Sequence, residues 1–322
     1  MQSSLTKLNI HKSLLKLEGF FVNGFILLGF TSHPILQPLL FMIFFTMSLI
    51  TVLGNSLIIF LVWINSRLHT VMYLFIGNLS LLDIFFTLII IPQMLAHMAS
   101  ETKMISYNRC MAQMNLTLSC GITECFILAL MAYDRYVAIC WPLRYPIIMR
   151  MPLCVQMAGI CWFGGFFNAA ALTVCTVNFP FCGPYEINHF FCEAPAVLQL
   201  ACLDTYMIKV LIFALSVIVL MLPLGFIVLS YLHIARVVFN MNSTEGQQRA
   251  FSTCATHLTI VVLFYSTICF TYLQPQSDLS ADQEKKAAVF YSLVSPMLNP
   301  VIYSLRNKDV KEAFVKVMGK VN

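Results

Sequence analysis

Seven stretches of the chain, each apolar over roughly 20 residues or more, fix the solvent in which it can fold. They run approximately from Gln37 to Trp63, Thr70 to Leu95, Asn108 to Cys140, Pro152 to Cys175, Ile208 to Phe239, Phe251 to Leu273 and Lys286 to Leu305. A hydrocarbon core about 30 Å thick is crossed by about 20 helical residues rising about 1.5 Å each, and these stretches meet that length. No water reaches the peptide groups there, so each stretch must bond its backbone internally, and each is too long for a barrel strand. The expectation is an all-α membrane protein, a bundle of seven transmembrane helices. Composition agrees: 59% of residues are hydrophobic and only 10% charged, with mean hydropathy +0.82. A soluble domain carries about 25% charged residues.

Seven spans use over half of the 322 residues and leave no room for a separate soluble domain. The chain therefore divides into an N-terminal segment (1–36), a bundle (37–305) and a tail (306–322). Arg67, Arg144, Arg150, Arg236, Arg249 and the stretch Arg306 to Lys320 all fall on one side of the spans. The positive-inside rule makes that side cytoplasmic. The opposite loops carry Glu101, Glu186, Glu193, Asp204, Asp278, Asp282 and Glu284, which places the N-terminus outside even with Lys7, Lys12 and Lys16 in it. Apolar Phe20 to Phe30 reads as an interfacial lead-in to the first span, because Asn23, Gly24 and Gly29 interrupt it and no small-residue cleavage site is obvious. In the tail, Val310, Phe314, Val317, Met318 and Val321 alternate at helical spacing with Lys308, Lys311, Glu312, Lys316 and Lys320. That pattern predicts a short amphipathic helix lying on the membrane surface. The net charge of +5 sits beside the spans, where it suits an anionic leaflet rather than nucleic acid.

Most of the twelve cysteines lie inside apolar runs and read as packing residues. Cys110, Cys182, Cys192 and Cys202 fall between spans, an even set of four that implies an oxidising face and allows three pairings. Two acids stand within spans, Asp83 in the second and Glu124 in the third. Each costs roughly 2.5 to 3.5 kcal/mol at a bilayer centre, so a functional site is the default reading. Asp134 and Arg135 stand side by side at the end of the third run, where a capping ion pair and a functional one are equally compatible with the residues alone. An enzyme is not expected, since no nucleophile, base and oxyanion donors can be placed together. No internal repeat or row of pore charges marks a transporter or channel.

The chain also carries motifs in a fixed order. They are FILLGF at Phe25 to Phe30, Gly54-Asn55, LHTVMYLFIGNLSLLD at Leu68 to Asp83, and MAYDRYVAIC at Met131 to Cys140 followed by Pro142-Leu143-Arg144-Tyr145. Then come Ser230-Tyr231, RAFSTCATHL at Arg249 to Leu258, and SPMLNPVIYSLRNKDVKEAF at Ser295 to Phe314. Through them the sequence resembles the odorant receptors, a branch of the rhodopsin-like G-protein-coupled receptors. It departs from them in Val71, where the family usually has proline, in Arg249, where lysine is common, and in lacking an Asn-x-Ser/Thr acceptor at Asn23. Its sequons at Asn78, Asn115 and Asn242 are expected within spans or in the cytoplasm.

The resemblance implies that Asp134 holds Arg135 at rest and that activation frees Arg135, next to Tyr136, to contact a G-protein α-subunit. Tyr231 and Tyr303 would rearrange around that arginine, with Pro223, Pro296 and Pro300 loosening their helices. Asn55 and Asn299 would converge on Asp83, and with Glu124 they would form a carboxylate site for Na⁺ or one shared proton. The family pattern pairs Cys110 with Cys192 and Cys182 with Cys202. His189, Cys192 and Glu193 resemble a metal-binding pattern, but a cysteine committed to a disulfide supplies no thiolate, so no metal is expected.

For a ligand, periodicity places Leu118, Gly121, Ile122 and Cys125 on one face and Tyr265, Ile268, Cys269 and Tyr272 on another, which ordinary interhelical packing would also explain. Family resemblance favours a pocket among spans three, five and six and adds Thr117, Leu215, Ser216 and Val219. None of these positions is charged, and an aminergic receptor would place an aspartate where Thr117 stands. The lining suits a small, mostly apolar volatile molecule. The expected function is an odorant receptor of the plasma membrane that activates a stimulatory olfactory-type G protein and raises cAMP. The alternative is a rhodopsin-like receptor for another small molecule.

Overall fold

The structure, a computed structural model, describes residues 24–30, 36–100, 102–178, 181, 185–201, 206–272, 281–306 and 308–318. Helices α1 (Gln37–Ile64), α2 (Val71–Ala99), α3 (Tyr107–Cys140), α4 (Met151–Val177), α5 (Tyr206–Phe239) and α6 (Thr244–Tyr272) occupy the first six apolar runs. All six are long and apolar enough to cross a membrane. The seventh, α7, comes in three consecutive pieces: Ala281–Val289, a π-helical turn Phe290–Val294, and Ser295–Arg306. A short α8 (Lys308–Met318) follows. The chain is a multi-pass membrane protein, a seven-helix bundle with a C-terminal helix after the last span.

Helix ends follow local chemistry. Pro38 opens α1 and Pro152 opens α4, positions where the missing N–H is not needed. Asn65 ends α1, its side chain accepting the Arg67 N–H at 3.1 Å. Helix α6 begins at Thr244, well before the apolar run at Phe251, because the polar first two turns continue the helix beyond the hydrophobic stretch. Pro92, Pro223 and Pro300 sit inside α2, α5 and α7.

The distribution of polarity is that of a protein dissolved in lipid. Leu53, Trp63, Phe163, Leu222 and Phe239 face outward, while Asn55, Ser80, Asp83, Ser119 and Thr123 are buried. Buried hydroxyls satisfy themselves on the preceding turn, as Thr51 does on the Met47 carbonyl at 2.9 Å and Thr123 on that of Ser119 at 2.7 Å. Helix α3 is central and packs against α2, α4, α5 and α6. At the α3–α4 crossing Gly165 lies so close to α3 that an added Cβ would meet Thr123 Oγ1 at 2.0 Å.

The N-terminal segment departs from expectation. Instead of leading into α1 along the interface, Gly24–Leu27 forms β1, the central strand of a small sheet. It runs antiparallel to β2 (Met104–Ser106), pairing Phe25 with Ile105, and parallel to β3 (Glu186–Ile187), pairing Leu27 with Ile187. Strand pairing satisfies peptide groups that a loop here would leave unpaired. Phe25 and Leu27 are buried, and Phe25 packs edge-on against Phe181 with ring centroids 5.7 Å apart.

At the opposite end of the bundle α8 turns Val310 and Ala313 inward and leaves Phe314 and Val315 exposed.

Candidate functional site

A cavity of about 90 Å³ lies among α2 to α7 beneath the loop that follows β3. Seven of the eleven residues expected to bind a ligand line it: Thr117, Leu118, Gly121 and Ile122 from α3, Ser216 and Val219 from α5, and Ile268 from α6. Cys125 joins them, as do Phe86, Leu172 and Phe264. The other four do not. Leu215 turns away from the bundle and is 42% exposed. Tyr265 and Cys269 line a separate outer groove between α5 and α6 with Leu224, Val228 and Val262. The side chain of Tyr272 lies outside the described residues. Helix phase separates Tyr265 and Cys269 from the cavity: successive residues are about 100° apart, so on α6 Phe264 and Ile268 meet the cavity while Tyr265, also buried, lines the groove on the α5 side.

The lining is more acidic than the expected positions implied. Asp83 and Glu124 reach the same cavity, and so does Glu193 from the loop. Asp83 is buried and accepts from the Asn299 amide at 3.0 and 3.3 Å. Asn55 does not bond Asp83. Its amide donates to the carbonyls of Thr51 at 3.0 Å and Pro296 at 3.1 Å, tying α1 to α7. Asn55 Oδ1 and Ser80 Oγ are buried without a hydrogen-bond partner among the described residues.

The roof is fastened to α3 by the Cys110–Cys192 disulfide, which bridges residues 82 apart in sequence. The second expected pairing, Cys182 with Cys202, lies outside the described residues. Gln113, which the sequence reading did not single out, reinforces the roof. Its oxygen accepts the Cys192 N–H at 2.9 Å while its amide donates to the Ile89 carbonyl at 3.0 Å. An amide inside an apolar run was the available signal.

Next to the disulfide, the Tyr291 hydroxyl donates to Glu193 Oε1 at 2.6 Å, and His189 Nε2 stands 3.4 Å from Glu193 Oε2. His189 accepts the Phe191 N–H at Nδ1 and is held between Phe190 and Phe191, with ring centroids 4.7 and 4.6 Å away. No group of three His, Cys, Asp or Glu side chains able to hold a metal occurs among the described residues.

Burial pulls the His189 imidazole down to about 3, with the Lys285 charge adding to the effect and the Phe191 bond opposing it. The ring is therefore neutral when the roof is docked. Between its ordinary value near 6.5 and about 3 the unfolded chain binds a proton that the native one does not, so native stability falls as pH falls. The slope contributed is at most about 1.4 kcal/mol per pH unit. Thermal melting of the purified protein should thus drop between pH 7 and pH 5. His189→Gln should flatten that drop, and equal slopes for both proteins would remove His189 as its cause.

At the other end of the bundle Arg135 is paired with Asp134 through Nε at 3.1 Å and a second contact from Nη2. The other Asp134 oxygen accepts from the Tyr145 hydroxyl at 2.7 Å, so a residue of the loop after α3 completes the lock. Asp134, Arg135, His257 and Tyr303 surround a small cavity there. No hydrogen bond joins Tyr231 to Arg135 among the described residues. Its hydroxyl is 2.7 Å from His257 Nδ1, a partner the sequence reading had not assigned. Tyr303 is buried with its hydroxyl unpartnered among the described residues, and Tyr136 accepts from the Trp141 indole at 3.3 Å.

These features agree with comparisons against known proteins. The sequence profile named olfactory receptor matches residues 44–320. Human olfactory receptor 2G3 is 45% identical over 92% of this chain and 96% of its own length. Human olfactory receptor 2D2 is 48% identical over 92% and 96%. The dog olfactory receptor-like protein OLF3 is 47% identical over 93% and 95%. Matches of this extent and identity make the chain a member of the olfactory receptor family, a receptor rather than an enzyme.

Proposed function

We propose that the cavity among α2 to α7 is the odorant site and that the Asp134–Arg135 end is the G-protein site, with the basic loops at that end cytoplasmic and β1 outside. The observation that carries the reading is the convergence of seven expected ligand residues on one roofed cavity in an olfactory receptor. Apolar walls with a few polar groups suit a small volatile held by shape and one or two hydrogen bonds.

In this reading, ligand binding biases α6 and α7, and Arg135 leaves Asp134 and Tyr145 to meet a stimulatory olfactory-type G protein, raising cAMP. Asp83 and Glu124 hold Na⁺ or share one proton. Their carboxylates line one cavity, and carboxylate oxygens are the donors that a hard cation takes.

The test is a cAMP assay over a broad odorant panel in cells whose surface receptor is stained. At least one volatile should raise cAMP above basal. A receptor well displayed at the surface, silent to every volatile and without basal signal, would overturn the reading.

A further inference from the structure

Outside the roofed cavity, a groove of about 530 Å³ runs between α5 and α6. Small Ser266 and Cys269 leave room on the α6 side, and Pro223 interrupts the α5 backbone ladder just ahead of Leu224, where the groove begins. Its lining passes from buried Ile227, Val261 and Tyr265 to exposed Val228, Leu232 and Val262, which makes a floor between two rims.

The whole lining falls within the apolar spans Phe213–Phe239 and Thr244–Phe270, so the mouth opens onto hydrocarbon. From Leu224 to Leu232 on α5 and from Leu258 to Cys269 on α6, at about 1.5 Å per residue, the groove is about 12 to 17 Å long, close to half of a core about 30 Å thick. That is the depth of one leaflet. It ends at Tyr231 and Leu232, beside His257, which shares a small cavity with Asp134 and Arg135.

No charged residue lines the groove among the described residues, and its hydroxyls are committed or hidden. Ser266 donates to the Leu263 carbonyl at 3.3 Å, Tyr231 is paired with His257 Nδ1 at 2.7 Å, and the Tyr265 hydroxyl is itself buried. A polar molecule would give up hydration here for no new hydrogen bond, and the hydrocarbon core holds no water to fill the space. Left unfilled, the lining forfeits dispersion contacts. A hydrocarbon chain restores them on two helices at once, which a convex helix face cannot match.

We infer that this groove is a lipid site, seating one acyl chain of a phospholipid from the leaflet on the Asp134–Arg135 side, packed lengthwise between α5 and α6. The chain is then a packing partner of the two helices next to the Tyr231–His257 pair.

The experiment places the purified full-length receptor in nanodiscs of phosphatidylcholine carrying a photoactivatable diazirine midway along one acyl chain. After irradiation and digestion, adducts are located by mass spectrometry. Labelling of Ile227, Val261 and Tyr265 should exceed severalfold that of Phe163 and Phe167, which face outward from α4. Ser266→Leu combined with Cys269→Leu should fill the groove and bring the ratio down to the α4 level. Ser266→Ala, which keeps the space, should label like the parent. Because each ratio is taken within one variant, it does not depend on yield.

Even label over α4, α5 and α6 would mean ordinary contact with bulk lipid and would overturn the proposal. So would an unlabelled groove on a receptor whose α4 reacts, the sign of a second copy or another helix seated there, or an unchanged ratio in the filled variant. If the double variant does not fold, Ser266→Leu alone and the parent ratio decide. The labelling uses neither odorant nor G protein, so its failure leaves the odorant site standing, and failure of the odorant assay leaves the lipid site standing.

Discussion

Gly165→Leu should abolish surface display and lower the stability of the purified receptor by about 3 kcal/mol or more, the upper part of the range for overpacking. A Cβ at this position would stand 2.0 Å from Thr123 Oγ1, 3.1 Å from Thr123 Cβ and 2.9 Å from the Ser119 carbonyl oxygen. The threonine cannot swing aside without cost, since its hydroxyl bonds that same carbonyl at 2.7 Å. Inside a bilayer, helices associate through close packing of small residues rather than through exclusion of water, so separating α4 from α3 forfeits that contact directly. The same displacement would move Leu172, which lines the cavity seven residues further along α4. Gly165→Ala should be intermediate. Adding Thr123→Ala should restore part of the loss but not all, because the Ser119 carbonyl is backbone and stays. Thermal melting with surface staining reads both outcomes, and a Gly165→Leu receptor that melts like its parent would refute the close-packing account.

Lipid immersion explains why so much of this fold could be read from residues alone. An apolar run of the right length has one stable solution in hydrocarbon, so the first six helices appear where hydropathy puts them, differing mainly where polar turns extend them, as Thr244 does for α6. Two features had no such forcing. The π-helical turn at Phe290–Val294 lies just before Pro296, in residues whose apolar character is the same whether the helix is regular or widened. Strand β1 formed because β2 and β3 approach it from distant parts of the chain, and the alternate burial of Phe25 and Leu27 leaves no mark in the sequence, where Phe25, Ile26 and Leu27 are all apolar.

The candidate site divides in the same way. Helix α3 has neighbours on several sides, so its inward face at Thr117, Leu118, Gly121 and Ile122 was recoverable from spacing and family resemblance together. On α6 both Phe264 and Tyr265 are buried although they lie about 100° apart, and periodicity cannot choose which of the two meets the cavity. Glu193 enters the cavity through the loop's path over the bundle, a relation that no spacing rule along one helix contains.

Removing the partner of Asp83 should cost more than removing its charge. Asp83 and Asn299 are both 2% exposed, and the Asn299 amide is the donor shown to both carboxylate oxygens. Asn299→Leu would strand a buried acid without that donor and should cost about 1.5 to 3 kcal/mol, the range for a hydrogen bond to a charged group. Asp83→Asn keeps an oxygen to accept the same bond and should cost about 1 kcal/mol. Asp83→Leu combined with Asn299→Leu should recover much of the loss, because no buried polar group of the pair is then left without a partner.

Sodium separates the structural role from the proposed ionic one. If Asp83 and Glu124 hold Na⁺, the parent should melt higher in sodium chloride than in choline chloride of equal ionic strength, a comparison that cancels general screening. Glu124→Gln and Asp83→Asn should each erase that difference. Should the parent melt identically in the two salts, the cation reading fails. The Asn299 result would still stand, since it depends on a hydrogen bond already present without any ion.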